Sequence, residues 1–554
     1  MRSLLFLLFL IIVLCSKQSA GQISLPPLFS DILVRSNWYG VVGFEFGPNN
    51  KIYVWEKRGY VWVMDTNGVK LTPALLNISD EVGAWVDHGL NGFALDPDFI
   101  HNGYFYVYYT VDHHHLMNYG TPTYNSATNE YYLATVVRVT RYQADINTNF
   151  TTLVPNSRFV LIGDKPTNGI PLLHLSHSGG TLCFGTDSSL LISTGDGASY
   201  TGIDTGSCVN SYWSQALTDS IIRPQENVGS FRSQMIKSLD GKVLRIDRFT
   251  GLGLPSNPFY NAAHPEWPES KVWCLGLRNP FRMFVKPGSG STDITAGQPG
   301  TIYIGDVGWS TWEELNVSKT GGENFGWPVF EGLTSQNQYW NSLVENTDVL
   351  NPLFGTHGCT QQYLRFKDLI YQATKDPSFY FPNPCDATKS LPSSVKKFLH
   401  TRPVLDWRHN QNVTRVPTYD GFNASYTYTD SAGSPVTGTE FMGNASLAGI
   451  FYNGTTFPLS YQNSIFHVDY GTQWIKNFKL DYKGNINQVE SFASQTGPVV
   501  FLTQGKTDGC LWYVLYQNDI RKICYTGVVN QPPTAVIQSN KIYGNTPQIG
   551  RAHV

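Results

Sequence analysis

Two histidines, His174 and His177, stand just ahead of the small-residue run Ser178-Gly179-Gly180. A neutral imidazole titrates close to physiological pH, so it can take a proton from a substrate hydroxyl; it can equally cap a strand through hydrogen bonds. Further along, Arg278-Asn279 sits in GLRNPFRM (Gly276–Met283). On residue type alone, an Arg there satisfies strand-end carbonyls. Other chemistries find no support. The sequence has no GxSxG nucleophile elbow, no HExxH pair and no CxxC, which removes the commonest hydrolase and zinc signatures.

The elements that must position these residues recur. An aromatic-rich strand leads into an Asp/Asn/Gly turn, and a second β-branched or aromatic strand follows. The pattern appears at Gly43–Asp65, Gly92–Thr110 and Leu182–Gly197, then split as Phe281–Lys286 and Gly300–Gly308, then at Phe451–Asp481 and Phe501–Tyr525. Six imperfect hairpin units predict an all-β, six-bladed β-propeller over about residues 35–527. A sandwich, or two separate β domains, is the competing arrangement. Thr334–Asp430 carries few clean strands and reads as elaborated loop, of the kind that builds a site on one propeller face.

Bulk composition agrees. Charged residues make up 15% and aromatics 14%, with 51 Gly and 31 Pro, which suits short strands and tight turns. Net charge is −3 without a basic block, so no nucleic-acid partner is expected. Residues 1–20 read as a secretory signal: Arg2, an apolar run from Leu4 to Cys15, then small residues to Ala20. That run is too short for a transmembrane segment, and no later one is long and apolar enough. Asn-x-Ser/Thr sequons at Asn77, Asn149, Asn316, Asn412, Asn423, Asn444 and Asn453 fit a secreted, extracellular glycoprotein. At the other end, Gln531–Val536 looks like the opening of an immunoglobulin-like module of the polycystic-kidney-disease type. Residues 528–554 are therefore read as a linker and a truncated module, with the last hexapeptide resembling a translated sequencing adapter.

Behind the signal remain seven cysteines. Cys510 and Cys524 flank two strands with a turn near Gln517–Asp519, which sets them opposite each other and predicts a disulfide. Cys359–Cys385 is a second, weaker pair. Cys183, in an apolar strand, reads as a buried free thiol.

Several segments in order resemble the glucose/sorbosone dehydrogenase superfamily of soluble quinoproteins: GLNGFALDPDF (Gly89–Phe99), HSGGTLCFGTD with STGDG (His177–Gly197), GKVLRID with GLPSNPFY, GLRNPFRM, GDVGWSTWEELN (Gly305–Asn316) and GGENFGWPVFEG (Gly321–Gly332). The resemblance implies a six-bladed propeller and, in one branch, a sugar dehydrogenase using pyrroloquinoline quinone and calcium. His177 falls in the general-base slot and Arg278 beside the hydride-accepting carbonyl, with Asn279 next to it. Gly308 and Trp309 fall where the family offers two main-chain carbonyls to calcium. Asn453 and Lys476 fall at or near positions where the family places cations for the quinone carboxylates, and Asp87 where it places a cofactor-contacting Gln. The slot before the base holds Ser176, where active bacterial members often carry Asp. Glu313 and Glu314 read as structural.

Two functions follow from the resemblance. One is oxidation of a sugar or polyol hydroxyl by hydride transfer to pyrroloquinoline quinone. The other is a non-catalytic secreted propeller that binds an extracellular protein or glycan, as hedgehog-interacting-protein-like molecules imply. Asn453 and Asp87, uncharged and negative where a cation and an amide are usual, favour the second; His177, Arg278 and Gly308 favour the first.

Overall fold

The computed structural model describes residues 23–356 and 358–529. The signal segment 1–20 and nearly all of the 528–554 tail module lie outside them. The described chain is an all-β propeller. Five blades are each cut from one continuous stretch, and a closing sheet joins the two ends.

The first blade is Val41–Phe46, Lys51–Glu56, Tyr60–Asp65 and Leu76–Asn77, antiparallel throughout. The second runs from Leu90–Leu95 to Ile170–Leu172, and the third from Leu182–Phe184 to Val272–Leu275. The split fourth unit assembles as expected: Arg282–Val285 pairs antiparallel with Ile302–Asp306, then Trp312–Ser318 follows. The fifth blade is Ser446–Tyr452, Ser464–Asp469, Trp474–Leu480 and Ile486–Ser494. In the closing sheet Val499–Gln504, Leu511–Leu515 and Asp519–Tyr525 accept Phe29–Arg35 from the other end of the chain, Phe29 opposite Tyr525. The six consecutive units read from sequence are thus corrected to five continuous blades plus a composite one. The unit that reads as Phe501–Tyr525 takes its outer strand from residues 29–35, which no hairpin pattern links to it.

One sequence reading is corrected outright. Within the expected loop Thr334–Asp430, Leu405–His409, Thr414–Asp420 and Asn423–Tyr428 are strands that extend the fourth blade. Both disulfides form, Cys510–Cys524 with Cα atoms 4.7 Å apart and Cys359–Cys385 with 5.4 Å. Cys183 is a free thiol, pushed up to about 12 by burial. Of the sequons, Asn316 is fully buried in strand Trp312–Ser318, so it is withdrawn as a glycan site. The other six are exposed.

Aromatic and branched side chains fill the wedges between neighbouring blades. Trp55 of the first stacks on Phe93 of the second at 5.4 Å, and Phe44 meets Trp512 of the closing sheet at 5.9 Å. The centre is polar. Arg282 is buried on the axis and donates to Val42 O, Asn91 O, Gly180 O, Phe281 O and Val500 O. These carbonyls belong to segments from different blades, so one side chain satisfies inner-strand groups that water does not reach. Among the described residues, no helix is long and apolar enough to cross a membrane.

Candidate active site

Inner-strand beginnings and the loops entering them gather at one end of the propeller, and the predicted site residues separate there into those it brings together and those it does not. His177 anchors the first group. It adopts φ +60°, a left-handed conformation that is uncommon outside glycine and in which His is enriched. Beneath it runs the end of STGDG: a Cβ on Gly195 would stand 1.9 Å from His177 O, so only glycine lets that strand end pass. The approach delivers the next residue, Asp196, to the ring. His177 Nδ1 donates to Asp196 Oδ1 at 2.8 Å. Ala198 N donates to the same oxygen at 3.0 Å, and Trp327 Nε1 to Oδ2 at 2.8 Å. Arg232 reaches Asp196 O at 2.8 Å. Ser176 does not take the orienting role; its hydroxyl pairs with His174 Nδ1 at 2.9 Å.

This dyad fixes the tautomer. Nδ1 carries the proton and Nε2 is left as the accepting edge, with no hydrogen bond to any described residue. Burial lowers the His177 pKa and nearby Arg278 lowers it further, against the pull of Asp196 and Asp87. Burial alone would raise Asp196, but His177, Arg278 and the Ala198 N–H hold it below its ordinary value. A neutral imidazole beside a carboxylate is the form a general base needs.

Arg278 lies on the same face. Its Nη1 donates to Val307 O at 2.9 Å and to Gly308 O at 2.6 Å, and its guanidinium sits 5.5 Å from the Trp327 ring centre. Its Nε is buried with no partner. The backbone N–H groups of Arg278 and Asn279 both donate to Asp306, whose carboxyl burial pushes up to about 7. Asn279 Oδ1 accepts from Gly179 N at 3.2 Å, tying this corner to the turn after His177. Glu313, as expected, is structural. It accepts from Gly308 N and Ser446 N and pairs with His409. Glu331 Oε1 accepts from four successive N–H groups, Trp309 to Trp312, and fixes that loop. Trp309 Nε1 crosses to Tyr200 O at 3.1 Å.

Asp87 also belongs here. Its Oδ2 accepts from His177 N at 3.3 Å and its carbonyl accepts from Ser178 Oγ and Asn91 Nδ2. The neighbouring cation is Lys57, which bonds Val86 O and lies 3.5 Å from Tyr516 OH; burial lowers its pKa and Asp87 raises it.

Two expected residues are elsewhere. Asn453 follows the far end of Ser446–Tyr452, whose Ser446 end is the one bonded to Glu313. Seven residues at about 3.3 Å each carry it roughly 20 Å away. It opens instead on a cavity of about 810 Å³ at the opposite end, with Glu45, Cys183 and Lys506. Its proposed place beside a cofactor is withdrawn. Lys476 is buried within the fifth blade, bonded to Ser491 Oγ at 3.1 Å and set over the Phe441 ring; none of its partners belongs to the His177 group.

Sequence reasoning missed Asp196, Trp327 and Lys57. The first two lie inside STGDG and GGENFGWPVFEG, segments already singled out as motifs.

The family resemblance implies a quinone and calcium at this end of the propeller. The reacting edge of a quinone fits: Arg278 Nε is an orphaned buried donor beside an open His177 Nε2. Calcium does not fit this geometry, because Gly308 O already accepts from Arg278 and a divalent cation would face the guanidinium.

The HIPL2 protein of Arabidopsis thaliana is 25% identical over 339 residues, 55% of this chain and 43% of that one. The HIPL1 protein of the same plant is 26% identical over 316 residues, 51% and 39%. The chain thus spans less than half the length of these curated relatives. In fold it is similar to a glucose dehydrogenase (TM-score 0.52, 16% identity, 90% of this chain and 98% of that one). It is also similar to the apo form of soluble aldose sugar dehydrogenase from Escherichia coli (0.50, 14%, 90% and 99%). The family model for glucose/sorbosone dehydrogenase matches residues 41–356, a stretch that contains His177, Asp196, Arg278 and Trp327, and the chain belongs to that family.

Proposed function

We propose that the protein oxidises a hydroxyl of a sugar or polyol, with His177 as the base. The observation that carries this reading is the His177–Asp196 pair, neutral ring and carboxylate, with Nε2 open beside Arg278. His177 Nε2 takes the hydroxyl proton as the C–H bond breaks. Asp196 holds the ring in place and stabilises the imidazolium that forms. Arg278 supplies fixed positive charge where negative charge develops on the acceptor. Pyrroloquinoline quinone, when bound, would supply the carbonyl system that accepts hydride. Arg278 would face its reacting edge through the unpartnered Nε, and Lys57 would meet a carboxylate. No step is assigned to calcium.

The signal segment, the exposed sequons and the two disulfides support a secreted, extracellular location for this activity.

The second reading, a non-catalytic binder, is favoured by one observation. Asn453 and Lys476 do not reach the site, so with Arg278 at the reacting edge Lys57 alone is left to face the quinone carboxylates. One experiment separates the two. Purified protein is titrated with the quinone, then mixed with a redox dye and a panel of aldoses and polyols. Dye bleaching that His177→Ala abolishes supports the dehydrogenase. Quinone binding without bleaching on any sugar, or no quinone binding at all, ends that reading and leaves the binder.

A further inference from the structure

Beside His177 the surface carries a line of aromatic rings that the proposed chemistry does not use. Tyr200 is the first, its ring 6.3 Å from His177 and 5.1 Å from His174, with about half its surface exposed (48%). His174 stacks near Tyr212 at 6.4 Å. Tyr132 meets Trp85 at 4.6 Å, and Tyr131 meets it at 5.7 Å. Tyr131 and Tyr132 are 46% and 62% exposed.

Two features separate this line from scattered surface aromatics. The first is backbone strain. Tyr132 holds φ +60° and Val86, next to Trp85, holds φ +47°, conformations that bulky and β-branched residues adopt at a cost. Folding thus spends strain to present a large ring to solvent, where burial returns nothing. The second is continuity: Trp85 packs on His88 at 4.4 Å, His88 Nε2 donates to His174 O, and Asp87 holds His177 N. The platform and the base are therefore one connected piece.

We infer that this line is a subsite for a neutral carbohydrate chain, so that the substrate is an oligosaccharide whose terminal residue reaches His177 and whose following residues lie on Tyr200, Tyr132 and Trp85. Pyranose rings present apolar C–H faces and hydroxyl edges. Tyr and Trp match both, with a flat apolar body and a polar tip. Asp87 at the near end supplies a carboxylate acceptor for hydroxyls.

This inference rests on the proposed oxidation of sugars, and the test keeps the two apart. The His177→Ala protein, which cannot turn over, is titrated calorimetrically with glucose and with cellohexaose, xylohexaose and maltohexaose. At least one hexaose is expected to bind about tenfold or more tighter than glucose, the gain of one or two aromatic contacts. Tyr132→Gly in the same background relieves the left-handed strain, so it folds, and should remove about tenfold of that hexaose affinity. Tyr482→Ala, an exposed aromatic in a fifth-blade turn, should leave it unchanged. Hexaoses that bind no tighter than glucose, or a Tyr132→Gly protein that keeps full hexaose affinity, overturn the subsite. Hexaose binding without any sugar oxidation by the unmutated protein would sink the dehydrogenase and leave the subsite standing.

Discussion

Asp196 Oδ1 accepts the Nδ1 proton of His177 at 2.8 Å, across 19 residues of sequence. Everything proposed for the imidazole depends on this bond, because it decides which nitrogen is free. Asp196→Asn keeps the shape but can turn an N–H toward Nδ1, which favours the wrong tautomer. The expected outcome is a fall in kcat of about 10²–10⁴-fold with the fold intact by circular dichroism. A variant with near-normal kcat would show that Asp196 only packs.

The pH profile gives an independent reading of the same pair. His177 acts neutral, and burial with Arg278 sets its pKa below the ordinary imidazole value of 6.5. Activity should therefore rise with pH along an acidic limb that lies below 6.5, and be at its plateau by neutrality. Asp306, pushed to about 7, and His409, which burial would lower but its bond to Glu313 raises, also titrate near Arg278, and burial lowers His174 beside His177 to about 4. An acidic limb that survives in His174→Gln, in His409→Gln and in Asp306→Asn belongs to His177. A limb that disappears in one of these variants assigns it to that residue and removes His177 as the titrating base.

How far the sequence reveals this site differs residue by residue, for physical reasons. His177 and Arg278 were readable because they sit in short segments whose order is distinctive. Asp196 was inside one of those segments, yet an Asp before Gly reads first as a turn former. Only the left-handed His177 and the missing Cβ of Gly195 bring its carboxyl to the ring. Cys510–Cys524 was legible because a hairpin fixes its own register. The pairing of Phe29–Arg35 with Asp519–Tyr525 was not, since no local pattern records a partner nearly 500 residues away. Strands Leu405–Tyr428 were hidden by an interrupted hydrophobic alternation: Thr414–Asp420 is buried at one end and exposed at the other.

That closing sheet makes a stability prediction. Cys510–Cys524 closes a loop of 14 residues within it. Removing both sulfurs as Cys510→Ala/Cys524→Ala should cost about 3 kcal/mol by loop-closure entropy, read from the denaturant midpoint of the oxidised protein. Adding reductant to the unmutated protein should move its midpoint in the same direction. If the double variant unfolds at the unmutated midpoint, the closing sheet holds without its covalent link.

Lys57 and Asn453 give opposite expectations for an anionic ligand, and the pair tests where the binding end of the propeller is. Lys57 stands by Asp87, which holds His177 N, while Asn453 opens on the cavity at the other end. Lys57→Met removes a partly desolvated cation. If a quinone carboxylate lies against it, affinity should fall by roughly 10- to 100-fold, the usual worth of a charge-assisted hydrogen bond. Asn453→Lys adds a cation at the other end of its strand, roughly 20 Å from Ser446. That distance is about twice the Debye length at physiological salt, so the added charge is largely screened. Quinone affinity should be unchanged, and a glycan on Asn453 should be equally without effect. Titration of both variants by quenching of intrinsic fluorescence reads each outcome. A quinone that binds Asn453→Lys more tightly while ignoring Lys57→Met would place the cofactor at the Glu45 end, and His177 would then have no acceptor for the hydride.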